Sequence, residues 1–206
     1  MQYFDTPMVN RQRLIWAVAT RRQLERWESF VAASVRLSFQ RKQVDSADIW
    51  LAETEHHFAL IAARNLVRAL DLDPPSGVEI DQTIRAELME GRDLHEHWDE
   101  NMPVFNMTPR PSAPPRGSGK SFAARNPRDG PYGWWGWSST NGPELLPNVP
   151  AAALHEVLDA VHDEVVNADG SLARFVPQRA PGVWLRDGGE WWPVAVDGSG
   201  EDDLPR

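Results

Sequence analysis

The chain has 206 residues, of which 41% are hydrophobic and 25% are charged, which is typical of one globular domain or of one domain with an appendage. It contains no cysteine, which excludes disulfides, thiolate metal sites and a cysteine nucleophile. The net charge of −9 argues against a protein that coats nucleic acid indiscriminately. No signal peptide or membrane-spanning pattern is recognisable, so we expect a cytoplasmic protein with no membrane partner.

Charge is distributed along the chain in four blocks. Residues 1–42 and 107–133 are basic, whereas residues 43–106 and 134–206 are acidic. A local anion-binding site is one interpretation of the basic blocks. Neutralisation of the basic blocks by the acidic ones across the fold is the other.

The first helix is predicted from Thr6 to about Lys42. Thr6-Pro7 supplies a capping hydroxyl followed by proline at the first helical position. Leu24, Trp27 and Val31 then recur at helical spacing, which predicts an apolar stripe. The predicted polar face is rich in arginine, with Arg11, Arg13, Arg21, Arg22, Arg26, Arg36 and Arg41.

Two more helices are predicted before residue 106. The second begins at the capping pair Asp45-Ser46 and runs to about Leu72, because Asp73-Pro74-Pro75 ends it. A capping box formed by Ser76 and Glu79 is predicted to begin the third. Gly91 is predicted to interrupt that third helix.

The C-terminal half combines a long loop with compact elements. Residues 103–147 are rich in proline and glycine and predict a loop or linker. A fourth helix is predicted from about Pro150 to Val166, with Asn148 as its cap, followed by a hairpin over residues 183–192. We therefore expect a mainly α fold: an antiparallel bundle of about four long helices, with a long Pro/Gly-rich loop and a small C-terminal β-hairpin. Residues 1–106 form the bundle, 107–147 the loop or linker, and 148–206 the returning helix and hairpin.

Residues 91–100 (GRDLHEHWDE) concentrate the chemistry of the chain. Arg92 and His97 are separated by four residues, and the polar Asp93 follows the arginine directly. An arginine that holds a phosphate and a histidine that moves a proton are the minimum for cutting RNA without a metal.

Three arrangements of this pair are open from the sequence. On one continuous helix, residues five apart are separated by about 140°, so the two side chains do not share a face. If the helix restarts at Gly91, Arg92 lies beside free backbone amides that favour an anion. In a symmetric dimer, the arginine and histidine of both chains converge at the two-fold axis.

An all-helical bundle with an Arg-polar-x3-His motif on a late helix resembles the HEPN family (higher eukaryotes and prokaryotes nucleotide-binding domains). Many members look like metal-independent RNases of toxin, phage-defence and CRISPR systems, with a composite site at a homodimer interface. The resemblance covers roughly residues 1–106. It implies that Arg92 holds the scissile phosphate, that His97 acts on the ribose 2′-hydroxyl or the leaving oxygen, and that Asp93 occupies the polar position.

The resemblance also implies partners: a second copy of the chain, an RNA substrate, and an antitoxin or activator protein. No cofactor is implied. His95 and Glu96 take supporting positions, and we expect His95 to be packed because it falls close to the apolar stripe of Leu88. The alternative is a non-catalytic HEPN-like interaction module that binds a protein partner.

Two further features have competing interpretations. Glu53-x-x-His56 has the spacing of half a di-iron site, and residues 95–99 approach a His-Glu-x-x-His motif, but neither is complete, so no metal site is predicted. The aromatic cluster Trp134, Trp135 and Trp137 predicts either a base-stacking platform or packing against the Trp191-Trp192 hairpin. Packing is the favoured interpretation.

Overall fold

The computed structural model describes residues 6–39, 46–96, 136–138, 142–146, 148–178, 183–187 and 190–193. The described part is mainly α with a small C-terminal hairpin, so the predicted fold class is confirmed. Its elements in chain order are α1 (Thr6–Phe39), α2 (Ser46–Leu70), α3 (Gln82–Glu96), β1 (Gly136–Ser138), β2 (Gly142–Leu146), β3 (Val149–Pro150), α4 (Ala151–Ala168), a 3-10 helix (Gly170–Phe175), β4 (Trp184–Asp187) and β5 (Glu190–Pro193).

The first two helices form an antiparallel hairpin around the core. Leu24, Trp27 and Val31 of the predicted α1 stripe are buried, as are Leu60 and Leu66 of α2. Each large apolar side chain taken out of water contributes roughly 1.5–3 kcal/mol. The helical periodicity of the apolar residues therefore determines which faces of α1 and α2 meet.

The fourth helix packs against α1 and completes the core. Leu154, Leu158, Val161 and Val165 are buried on one side of α4. These residues recur at three- and four-residue steps, as the sequence predicted. The prediction that a fourth helix returns to the bundle is confirmed.

A small three-stranded antiparallel sheet lies next to these helices, in the order β1-β2-β3. Residues 136–138 and 142–146 are strands, although composition predicted a loop or linker up to residue 147. The earlier part of that predicted loop, residues 107–135, lies outside the described part. Leu145 and Leu146 are both fully buried because the register shifts between Glu144 and Leu146. Without strict alternation, the sequence carries no strand signal there.

The hairpin β4–β5 packs on this sheet through indole rings. The ring of Trp137 stacks on that of Trp184 at 6.1 Å between centroids, and lies 6.3 Å from that of Trp192. The predicted hairpin and the packing interpretation of Trp137 are both confirmed. Trp134 and Trp135 lie outside the described residues.

Two predicted helix caps are wrong. The Ser76–Glu79 capping box does not form, because α3 begins at Gln82 and Asp81 Oδ1 accepts hydrogen bonds from the amides of Thr83 and Ile84. These bonds lower the pKa of the Asp81 carboxyl below its ordinary value. Asp81 therefore replaces Ser76 as the cap.

Asn148 is the second wrong cap. It adopts a positive φ of 67° in the turn between β2 and β3, and Pro150 is the residue that precedes α4. Its side-chain amide donates instead to Glu87 Oε1 of α3, at 3.3 Å. Asparagine tolerates the left-handed conformation better than most residues, so the turn rather than the helix uses it. Within the described residues, no helix is long and apolar enough to cross a membrane.

Candidate functional site

Arg92 to Glu96 of the motif that suggested RNA cleavage lie at the C-terminal end of α3. This helix continues through Gly91 to Glu96, so the predicted interruption at Gly91 is wrong. A helical glycine costs roughly 1 kcal/mol relative to alanine, and the buried Ile84 and Leu88 more than offset that cost. Arg92 therefore lies in the last turns of a continuous helix and not at a helix start with free amides.

Three other motif residues belong to the same helix. Asp93, His95 and Glu96 belong to α3 as backbone positions. Their side chains, that of Arg92, and the whole of His97 lie outside the described part of the structure. The predicted pairing of Arg92 with His97 accordingly stays a prediction.

Two polar links fix the N-terminal half of α3, which carries the motif at its other end. Arg85 forms an ion pair with Asp71 at the end of α2. Glu87, which is buried, accepts the hydrogen bond from Asn148. The position of the motif therefore depends on both α2 and the β2–β3 turn.

Arg13 organises the connection between α2 and α3. Its buried guanidinium donates to the carbonyl oxygens of Ala69, Leu72 and Pro74, and its Nη1 lies 3.2 Å from Glu164 Oε1 of α4. Burial lowers the pKa of Arg13, and the charge of Glu164 opposes that effect. One arginine thus joins α1, α4 and the loop that leads into α3.

Glu164 completes this link from the side of α4. Its Oε2 accepts hydrogen bonds from the Ser76 hydroxyl and the Gly77 amide, both at 2.8 Å. The serine that the sequence assigned to a helix cap therefore serves a contact with α4. Both oxygens of one carboxylate are used, so removal of Glu164 would leave three donors without this acceptor.

A second polar link between α1 and α4 contains a perturbed histidine. The fully buried Arg21 forms an ion pair with Asp159, and its Nη2 lies 3.4 Å from His162 Nδ1. Because a guanidinium only donates, Nδ1 accepts and Nε2 carries the proton. Burial first, and the charge of Arg21 second, lower the pKa of His162 to about 4. His162 is therefore neutral near pH 7.

Two more histidines are buried, one in a third polar link between α1 and α4 and one in a contact within the core. His155 Nε2 donates to Glu28 Oε2 at 2.8 Å, and both side chains are buried between α4 and α1. His56 Nε2 lies 2.6 Å from the carbonyl oxygen of Leu145, next to the ring of Trp27. His56 thus joins α2 to β2 within the core.

A metal site and a catalytic cleft are the other two possibilities for a functional site. Within the described ranges, no group of three or more histidine or carboxylate side chains is arranged to hold a metal ion. A groove of about 310 Å³ borders His162 and is lined mainly by Val166, Ala173, Val176 and Pro177. Asp163 and Gln178 also line the groove, but among the described residues neither forms a hydrogen bond with His162, so the groove is a poor candidate for an active site.

The buried charges are what sequence reasoning missed. Arg13 and Arg21 were assigned to the polar face of α1, but they are only 3% and 1% exposed. Their spacing from Ala17 and Leu24 places them at the edge of the apolar stripe, which is the signal that could have identified them. His155 and His162 follow the same rule beside Leu158 on α4.

Comparison of the chain with family models, with characterised proteins and with solved structures found no match. Functional assignment therefore depends on the motif, the helical fold and the surface chemistry of this chain.

Proposed function

We propose that the protein is a cytoplasmic, metal-independent RNase of toxin or phage-defence type that acts as a homodimer. The observation that carries this proposal is the location of Arg92, five positions before His97 and within the last turns of a helix that is packed into a helical bundle. Such a location suits an arginine that must be presented at the end of a rigid element. It is also the arrangement that the HEPN resemblance implies.

The proposed chemistry is a transesterification. The ribose 2′-oxygen bonds to phosphorus while the bond from phosphorus to the 5′-oxygen of the next nucleotide breaks. His97 takes the proton of the 2′-hydroxyl or returns one to the leaving 5′-oxygen, and Arg92 stabilises the phosphoryl oxygens. The product ends in a 2′,3′-cyclic phosphate. Asp93, His95 and Glu96 are the supporting residues of this proposal.

The continuity of α3 favours a two-copy site. Within a helix the amides after Arg92 are engaged in main-chain hydrogen bonds, so they cannot share a phosphate with the guanidinium. One arginine alone then faces the charge of the phosphoryl group. A symmetric dimer supplies a second Arg92 and a second His97, which can divide the acid and base roles.

The test is cleavage of a labelled RNA by wild type and variants in the presence of EDTA. We expect wild type to cut and to leave cyclic phosphate ends, and Arg92→Ala and His97→Ala to lose at least about a hundredfold in rate. Arg68→Ala is the matched control, since it removes an exposed arginine of a different helix, α2. We expect it to retain most of the activity.

Two results would overturn the proposal. One is cleavage that requires a divalent ion. The other is activity that survives the His97 substitution in a folded protein. Sedimentation of the active protein as a monomer would remove the dimer from the proposal.

The second candidate is a non-catalytic interaction module, and one observation favours it. Glu156, Asp159 and Asp163 are exposed along one side of α4. A stripe of carboxylates suits a basic protein partner such as an antitoxin or activator. This candidate replaces the RNase if wild type does not cut RNA but binds a basic partner protein. Glu156→Lys and Asp163→Lys should then weaken the binding of that partner.

A further inference from the structure

The exposed side of α1 carries positive charge. Its exposed positions from Thr6 to Ser29 include three arginines and no carboxylate, although the whole chain carries a net charge of −9. Positions 11, 15, 22 and 26 are related by helical periodicity, so they share one side of the helix. This side is separate from the one that contacts α4.

The arginines of α1 fall into two groups. Arg13 and Arg21 are buried and engaged with Glu164 and Asp159. Arg11 and Arg22 are exposed, and neither forms an ion pair with another residue of the described part. Arg13 and Arg21 therefore stabilise the fold, whereas Arg11 and Arg22 are exposed to solvent.

Arg26 is fixed at the surface by a buried carboxylate. Its guanidinium pairs with Glu55 of α2, whose side chain is only 7% exposed, whereas that of Arg26 is 62% exposed. The pair holds the arginine in place and leaves most of the guanidinium accessible. A guanidinium fixed in this way loses less conformational entropy when it binds an anion.

An exposed aromatic ring lies beside these arginines. Phe58 is 48% exposed on α2, one turn after Glu55. Because α1 and α2 are antiparallel and Arg26 meets Glu55, one turn further along α2 corresponds to one turn back along α1. This register places Phe58 at the level of Arg22 across the helix hairpin. A half-exposed ring at the level of guanidinium groups offers a base a stacking surface close to the phosphate contacts.

We propose that this surface, the arginine face (Arg11, Arg22, Arg26 and Phe58), binds single-stranded RNA. The guanidinium groups would contact successive phosphates over the roughly 22 Å that separates Arg11 from Arg26 along α1. An unpaired base would stack on Phe58, which a duplex would not permit. The inference rests on the proposed RNase function and names the surface that brings substrate to the protein.

The test uses the full-length chain with His97→Ala, to prevent cleavage, and a fluorescently labelled uridine 12-mer. Binding is followed by anisotropy at several salt concentrations. We expect Arg11→Gln with Arg22→Gln to weaken binding and to reduce the slope of log affinity against log salt by about 1.4, because each lost contact to single strands accounts for about 0.7. Phe58→Ala should weaken binding about tenfold with little change in slope.

The control is Arg68→Gln with Arg186→Gln, which removes the same charge from exposed positions outside the arginine face. An equal loss of affinity in this control would overturn the inference, because net charge alone would then explain binding. So would an unchanged RNA affinity in Phe58→Ala, since the face would then be a general anion surface.

Cleavage by the chain with native His97 separates this inference from the proposed function. If wild type cuts RNA and the arginine-face variants bind RNA with unchanged affinity, the proposed RNA-binding surface is wrong and the proposed RNase function is retained. Binding that follows the expected pattern without cleavage would support the surface and overturn the RNase. A wild type that neither binds nor cuts RNA would overturn both.

Discussion

His155 Nε2 lies 2.8 Å from Glu28 Oε2, and both side chains are buried where α4 crosses α1. We expect Glu28→Ala to destabilise the protein by about 3 kcal/mol, because it leaves a buried imidazole without its acceptor. Urea unfolding at pH 7 measures the change. The double variant Glu28→Leu with His155→Leu should recover much of the loss, and a double variant as unstable as the sum of the singles would contradict this.

Acid should destabilise the protein through His162. Its pKa in the folded chain is about 4, whereas an unperturbed histidine titrates near 6.5. Between these values the unfolded chain binds a proton that the folded chain does not, so stability is complete above about pH 6.5 and falls as pH falls toward 4. The full shift corresponds to about 3 kcal/mol.

The variant His162→Phe isolates this contribution. We expect the difference in unfolding free energy between pH 7 and pH 5 to be smaller in the variant than in wild type, as measured by urea titration at both pH values. An identical difference in the two proteins would show that other groups account for the acid sensitivity.

Arg13 should be far more sensitive to substitution than Arg11, although both belong to α1. Arg13→Lys keeps the charge but cannot reach three carbonyl oxygens and Glu164 together, so we expect a loss of about 3 kcal/mol. Arg11→Lys, the control, should change stability by less than about 0.5 kcal/mol. Thermal unfolding compares them, and equal melting temperatures would contradict the role of Arg13.

Trp137 should matter for the C-terminal hairpin and not for RNA. We expect Trp137→Leu to weaken the docking of β4–β5 by about 1 kcal/mol, because the ring contacts with Trp184 and Trp192 are lost. Hydrogen exchange at Leu185 and Arg186 should then accelerate. RNA affinity should stay within twofold of wild type, and a larger loss would favour the base-stacking interpretation of Trp137.

Much of the helical fold could be predicted because its signals are local. Thr6-Pro7 begins α1, and the prolines after Asp73 follow the end of α2. The apolar stripe of α4 was equally clear. Only the propensities of neighbouring residues are needed for each of these predictions, so one sequence sufficed.

The features that were missed depend on contacts between distant parts of the chain. Whether Arg21 faces water is decided by Asp159, far along the chain. Ser76 was assigned to a cap, yet its hydroxyl binds Glu164. Gly91 was assigned to a break, yet tertiary packing keeps α3 helical. For the candidate site, Arg92 could be located on a helix, but no local pattern encodes the proposed partner residues from a second copy of the chain.

The three polar links between α1 and α4 also specify direction. Along α1 the charges run Arg13, Arg21, Glu28, and along α4 in reverse they run Glu164, Asp159, His155. If α4 were reversed, Glu28 would lie near Glu164, and two carboxylates would be buried together without a cation.

The pairing therefore specifies one orientation of α4. This matters because residues 97–150 lie between α3 and α4 in the chain, and loop closure alone does not favour either direction. We expect a peptide with the sequence of α4, supplied as a separate chain, to bind the same surface of α1 in the same direction.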